Sequence, residues 1–341
     1  MVLRYSKEAT QAPIPSKISS RSSALNAASL RGLGRELKFR SYEYGKGLMQ
    51  NPEWFLMRRL ARSGTIRALS HRLRQRHYAV GLQQQPARSQ DLDPLSKEAV
   101  VAVLEHTGLY AGLRLSDTTV AELQTFAQTY PCYGNGKPHL GFLYRESQKA
   151  RNRCSQNILS GHYLNLDHQC AAVDRLRQDP AILAIAADYL QTAPAYLGSQ
   201  LWWSFPGSAD PAERCQISQA FHYDLDGYRF IKFFFYLSDV DESSGPHVFV
   251  RGSHHQMRWH HRLLRKRYSD REILGTYGAA AVATLCGPPG YGFIEDTFCF
   301  HKGTVPTDRD RLMLQIEFGI KDYGMQHRRV PSEKLSLIPL G

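Results

Sequence analysis

Phe230-Ile231-Lys232-Phe233-Phe234-Phe235-Tyr236-Leu237 is the stretch that decides the fold. It is apolar but for Lys232, too short for a typical core helix, and rich in aromatic residues. That pattern predicts a strand buried on both faces. A turn-rich segment follows, Asp239-Val240-Asp241-Glu242-Ser243-Ser244-Gly245-Pro246, then a short strand, His247-Val248-Phe249-Val250, and a tight turn, Arg251-Gly252-Ser253-His254. Upstream, Leu197 to Phe205 reads as another strand. Downstream, Arg311-Leu312-Met313-Leu314-Gln315-Ile316-Glu317-Phe318 alternates strictly. Arg311, Met313, Gln315 and Glu317 share one face; Leu312, Leu314, Ile316 and Phe318 share the other. A barrel with a polar interior takes the first set inward and packs the second under helices.

Candidate covering helices are present. Ser96 to Glu105 is helical, and His106–Leu113 supplies an opening strand. Ser116 or Asp117 can cap a helix with Val120, Leu123 and Ala127 on one face. Asp179-Pro180 starts another, with Ile182, Leu183, Ile185 and Tyr189 at helical spacing. Residues 131–168 read as irregular and rich in Tyr, Asn, Gly and His. Such a segment suits a binding loop at the mouth of a site, with His139, His162 and His168 as hydrogen-bonding loop residues.

Two residues upstream of the apolar strand carry chemistry. In Gln219-Ala220-Phe221-His222-Tyr223-Asp224, His222 and Asp224 stand at i and i+2, on one face of an extended chain. His-x-Asp alone reads first as a surface turn with a satisfied histidine, and only its context points to a metal. Cys299-Phe300-His301-Lys302-Gly303 adds a second imidazole. Two imidazoles and a carboxylate on one face of a metal make the facial triad of non-haem Fe(II) oxygenases. Ten residues on, Arg311 can pair two-pronged with a carboxylate. On the strand before the site, Gln200 and Trp203 point to opposite faces, so at most one lines a pocket.

Phe221 to His254, Asp296 to Gly303 and Arg311 together resemble the phytanoyl-CoA dioxygenase-like family. The shared order is His-x-Asp, an apolar strand ending in a Leu-Ser-Asp-Val turn, Gly-Pro, Gly-Ser-His, a distal His-x-Gly and an arginine. The resemblance covers roughly residues 94–325. It implies a mainly β double-stranded β-helix (a cupin-like jelly roll) with helices packed on the major sheet. It implies Fe(II) on His222, Asp224 and His301, 2-oxoglutarate held by Arg311, and O2 as oxidant. It places co-substrate or substrate contacts on the strand carrying Trp203, our candidate there. Halogenating members lack the triad carboxylate; Asp224 is intact, so hydroxylation of a small molecule or an acyl- or lipid-linked substrate, with release of succinate and CO2, is the expected outcome. A catalytically silent barrel used for binding is the competing reading. A cupin-like metalloenzyme without 2-oxoglutarate is a third, and Arg311 argues against it.

The chain of 341 residues is 42% hydrophobic, enough for a sizeable core. Its charge is uneven. Residues 1–90 hold 17 Lys+Arg against 4 Asp+Glu, a net of +13, and the remainder carries −1. Residues 1–90 form a basic extension: a Ser- and Arg-rich tail over 1–35, a basic amphipathic helix over 52–80 and a linker at 83–90. That helix can meet an anionic membrane surface or an acidic partner, or pack on the main domain with its arginines solvated. Nucleic acid is not the expected partner. Residues 326–341 read as a C-terminal tail. No apolar run is long enough to span a membrane. The six cysteines form no Cys-x-x-Cys pair and read as free thiols, Cys299 as a small buried residue. Cytoplasmic placement is expected, with an organellar transit peptide as the alternative. Gln256 to Arg267 reads as a basic helix, and His254, His255, His260 and His261 as solvated residues near the mouth.

Overall fold

The computed structural model describes residue 49 and residues 51–78, 89–207, 220–263, 266–325 and 329–340. The expected tail over 1–35, most of the linker at 83–90, and Cys215 lie outside the described residues.

The described residues form eleven strands: β1 (Leu109–Arg114), β2 (Pro131–Gly134), β3 (Gly141–Leu143), β4 (Ser160–His162), β5 (Ala195–Ser204), β6 (Phe230–Tyr236), β7 (His247–Val250), β8 (Val282–Leu285), β9 (Tyr291–Glu295), β10 (His301–Gly303) and β11 (Arg311–Gly319). They form two antiparallel sheets. The larger runs β1-β9-β6-β11-β5-β4-β2-β3, the smaller β10-β7-β8. Bridges from His222 to His301 and from Phe221 to Tyr268 widen the smaller sheet. From β5 onward the chain crosses repeatedly between the sheets, which is the double-stranded β-helix. β6 is buried along its whole length because it lies between β9 and β11, with one face in the barrel and the other under helices.

Six helices have eight or more described residues: α1 (Pro52–Leu60), α2 (Gly64–Tyr78), α3 (Lys97–Thr107), α4 (Asp117–Thr129), α5 (Pro180–Leu190) and α6 (Asp270–Tyr277). Their starts follow the capping rules. Ser96 accepts from the Ala99 amide, Ser116 from Thr119, and Asp179 from Ala181 and Ile182, with Pro180 in the first turn. Leu104 of α3, Leu123 of α4 and Ile185 of α5 join Phe233, Leu312, Leu314 and Ile316 in one apolar cluster outside the large sheet. Between the sheets, Phe234, Tyr236, Phe249, Phe293 and Met313 form a second apolar cluster.

Three expectations change. Residues 131–168 contain β2, β3, β4 and a short helix, Ser147–Arg153. β4 pairs with β5, Ser160 opposite Ser204, and β2 pairs with β4. These strands are too short to carry periodicity, and only long-range pairing makes them sheet. The helix expected over 52–80 breaks at residues 61–63 into α1 and α2. Of Gln256 to Arg267, only Trp259–Leu263 is helical among the described residues.

Met57 and Ala61 are buried with Phe221, Tyr223 and Phe298. Arg67 of α2 lies over the Phe298 ring at 3.7 Å, with Nη2 3.6 Å from Asp296 Oδ2. Leu56, Leu60, Leu69 and Leu73 are exposed. Among the described residues no helix is long and apolar enough to cross a membrane.

Candidate metal centre

The bridge between His222 and His301 sets the two histidines side by side, with His222 N donating to His301 O and the reverse (3.0 and 2.9 Å). Asp224 is tied to the same turn through its amide, which donates to Thr297 O at 2.8 Å. One ligand atom from each of His222, Asp224 and His301 lies within 4.8 Å of the others. Nε2 of His222 is 3.8 Å from Asp224 Oδ1, and Nε2 of His301 is 3.5 Å from Oδ2.

Both imidazoles are oriented by backbone. His222 Nδ1 donates to Ala220 O and His301 Nδ1 to Cys299 O, each at 3.0 Å. The proton therefore sits on Nδ1, and Nε2 presents a lone pair to the site. Burial lowers both histidines below their ordinary value; the neighbouring His301 lowers His222 further, while Asp224 and Glu295 partly offset the effect on His301. Both shifts favour the neutral imidazole, the form that ligates a metal. Burial pushes the Asp224 carboxyl up, but the Lys232 ammonium beside it, which also donates a hydrogen bond to it, outweighs this and holds the carboxyl below its ordinary value.

Lys232 is the lysine of the apolar strand, 6% exposed. Its Nζ donates to Asp224 Oδ2 at 2.8 Å and Asp226 Oδ2 at 2.9 Å, and lies 3.6 Å from Glu317 Oε2. Glu295, Lys232 and Glu317 face one another in register across β9, β6 and β11. Burial opposes the ammonium, and the carboxylates outweigh it, so Lys232 stays charged. Burial pushes Asp226 and Glu317 each up to about 7, and Glu295 to about 8. His247 lies beside His301, the rings 5.6 Å apart and within 15° of parallel, and its Nε2 is 3.0 Å from Glu295 Oε2.

A cavity of ≈ 820 Å³ joins the triad to Arg311. Arg311 is 4% exposed. Nη1 donates to Gly245 O, and Nη2 to Ser204 Oγ at 3.0 Å. Both partners are neutral, and Nε is buried without a hydrogen-bond partner. A buried guanidinium held only by neutral groups is matched to an anion. Gly303 opens the space beside it: a Cβ there would stand 3.5 Å from Nη2.

The structure corrects Trp203. β11 pairs Arg311 with Ser204 and Leu312 with Trp203, which turns Trp203 outward with Leu312. Its Nε1 donates to Tyr163 OH at 2.9 Å, and its ring stacks on Tyr144 at 3.7 Å. Gln200, Trp202 and Ser204 of the same strand line the cavity. His162 also lines it; His139 does not, and His168 borders a smaller neighbouring cavity. Cys299 is buried, its Sγ 2.9 Å from His254 Nδ1. Lys232, His247 and Ser204 were not singled out from sequence, and Gln315 only as an inward-facing residue of β11. The one available signal was a lysine inside an otherwise apolar strand.

No protein-family model matches the chain, and no curated protein matches it. Solved structures similar to it include the non-haem α-ketoglutarate-dependent epimerase SnoN from nogalamycin biosynthesis (16% identity, 67% of this chain and 84% of that one, TM-score 0.43). The α-ketoglutarate-dependent carbocyclase SnoK from the same biosynthesis aligns at 14% identity over 73% of this chain and 98% of its own, TM-score 0.47. HygX from Streptomyces hygroscopicus, with nickel, 2-oxoglutarate and hygromycin B bound, aligns at 18% identity over 66% and 87%, TM-score 0.43. Identities are low and the superpositions loose, so the chemistry in those descriptions is that of those proteins.

Proposed function

We propose that this protein is an Fe(II)- and 2-oxoglutarate-dependent oxygenase acting on a C–H bond of a small molecule or an acyl- or lipid-linked substrate. One observation carries the reading. Two imidazole Nε2 atoms and one carboxylate converge in the lining of a cavity that also holds a buried arginine with neutral partners. The donor set fits Fe(II), since three protein ligands on one face leave positions open. The likeness of the motif order to the phytanoyl-CoA dioxygenase-like family supports the same reading.

Bound there, Fe(II) with 2-oxoglutarate and O2 supplies oxidising power toward an unactivated C–H bond, with succinate and CO2 released. The chain does the rest. His222, Asp224 and His301 would hold the ion. Arg311 would pair with the distal carboxylate of the co-substrate, two N–H groups to two oxygens, and Ser204 would add a hydroxyl. Lys232 fixes Asp224 Oδ2 and leaves Oδ1 toward His222. Phe234 and Met313 give the cavity an apolar stretch of lining, which disfavours water there. With Asp224 present, hydroxylation is the expected outcome.

The test is calorimetric titration of 2-oxoglutarate into the protein with Fe(II) held anaerobically, followed by succinate detection on admitting O2. Arg311→Met should weaken 2-oxoglutarate by about 30-fold or more, the worth of a charge-assisted pair, and leave metal affinity within a few-fold. His222→Ala should abolish both. Metal-independent 2-oxoglutarate binding, or none together with no succinate, would overturn the assignment.

A further inference from the structure

We infer that the substrate is a neutral, polyhydroxylated ring compound of carbohydrate type, and not an acyl chain. This rests on the oxygenase reading, which accounts for only part of the cavity. A cavity of ≈ 820 Å³ is within the range that holds a drug-sized ligand, and 2-oxoglutarate is far smaller. The remaining space lies against the β2–β3 turn, the segment before β4, and the inner faces of β5 and β11.

Those walls are polar. Lys137, Gln156 and Asn157 come from the two loops, and Gln200 and Gln315 from adjacent strands, where they stand opposite one another. Binding sites usually present mainly apolar walls, and an alkyl chain needs a continuous one. Among the described lining residues, Leu159, Trp202, Phe234 and Met313 are the large apolar ones. An alkyl chain laid against the amides would strip their water and return no hydrogen bond.

Gln315 makes the requirement specific. It is 7% exposed, lines the cavity, and its Nε2 is buried without a partner. A buried amide N–H₂ calls for an oxygen acceptor. Trp202 supplies the complement. Its ring lies within 13° of parallel to His162, centroids 6.2 Å apart, and forms part of the cavity wall. A flat indole among amides matches a sugar ring, whose C–H face is apolar and whose rim is hydroxylated. Lys137 is only half-buried and donates to Gln156, so solvent screens its charge and, unlike the buried Arg311, it does not demand an anion. No carboxylate except Asp224 lines the cavity among the described residues, so nothing there selects a cationic substrate.

The experiment is saturation-transfer NMR on the full chain loaded with Zn(II) and 2-oxoglutarate. The probes are maltose, sucrose and trehalose against octanoyl-N-acetylcysteamine. Saturable binding of at least one disaccharide, tighter than the thioester, is expected. Trp202→Ala or Gln156→Ala should weaken it about tenfold, the scale of one lost contact, with 2-oxoglutarate affinity kept within threefold. Binding of the thioester in preference, no disaccharide binding, or disaccharide binding unchanged in both variants overturns the inference. Calorimetry of 2-oxoglutarate on the same sample separates the two claims: loss of that binding sinks the oxygenase reading, whereas its retention without sugar binding sinks only the substrate class.

Discussion

Lys232 shows what a single residue does at this site. Its ammonium is shared by Asp224, Asp226 and Glu317 inside the barrel. Removing one member of a buried charge cluster leaves the others uncompensated, at a cost of about 3–5 kcal/mol. Lys232→Met should therefore lower the melting temperature of the metal-free protein. A divalent ion would then be the remaining cation beside the carboxylates. The rise in melting temperature on adding Mn(II) should be larger in Lys232→Met than in the parent. An equal or smaller rise would mean that Lys232 does not compensate these carboxylates. The pairing of His222 with Asp224 was legible in the sequence, because residues two apart share a face of an extended chain, and the motif order pointed to His301 as the third member of the group. The acidic residues around Lys232 were not. They come from β9, the segment after His222, and β11, and only strand register brings them together. Trp203 was misread for a related reason. Gln200 and Trp203 alternate correctly, but which of them faces inward is fixed by β11 and not by β5.

At the scale of elements, the clear part of the sequence was the long strands. β6 and β11 announce themselves by an apolar run and by strict alternation, and both match the observed burial. The three- and four-residue strands β2, β3 and β4 carry no period of their own and exist through pairing, β4 on β5, β2 on β4 and β3 on β2. The turn between β6 and β7 is another element whose role needed the structure. Gly245 has φ +74°, and a Cβ there would lie 2.6 Å from Pro306 N and 2.7 Å from Thr304 O. Its carbonyl accepts from Arg311 Nη1. The sequence shows a Gly-Pro; the fold shows a turn packed against backbone that cannot retreat. Gly245→Ala should cost about 2 kcal/mol or more, from the left-handed backbone and the clash together. Because the displaced carbonyl holds Arg311, 2-oxoglutarate affinity should fall about tenfold while Mn(II) affinity holds. Parallel calorimetry with both ligands checks this. A loss of stability with unchanged 2-oxoglutarate affinity would detach the turn from the anion end of the cavity.

For the molecule as a whole, the uneven charge has a structural consequence. The basic surplus lies in residues 1–90, and one of its arginines is built into the barrel domain. Arg67 stacks on Phe298 and pairs with Asp296. Asp296 also accepts from Tyr189 OH at 2.7 Å and from the Phe298 amide at 3.0 Å. Burial pushes the Asp296 carboxyl up, and Arg67 with these donors brings it below its ordinary value. The segment from Asp296 to His301 thus links α2, α5 and the second histidine of the candidate metal centre. If this pair ties α2 to the barrel, Arg67→Met should destabilise by about 3 kcal/mol, because Asp296 is left buried with its charge less compensated. Asp296→Asn in the same chain should recover a large part of that loss, since the carboxylate that needed Arg67 is gone. A urea-denaturation cycle over the parent, the two single variants and the double variant measures the coupling. A coupling near zero would mean that Arg67 acts through its contact with Phe298 alone. A coupling of 1 kcal/mol or more would show that α2 is held to the domain by charge as well as by Met57 and Ala61.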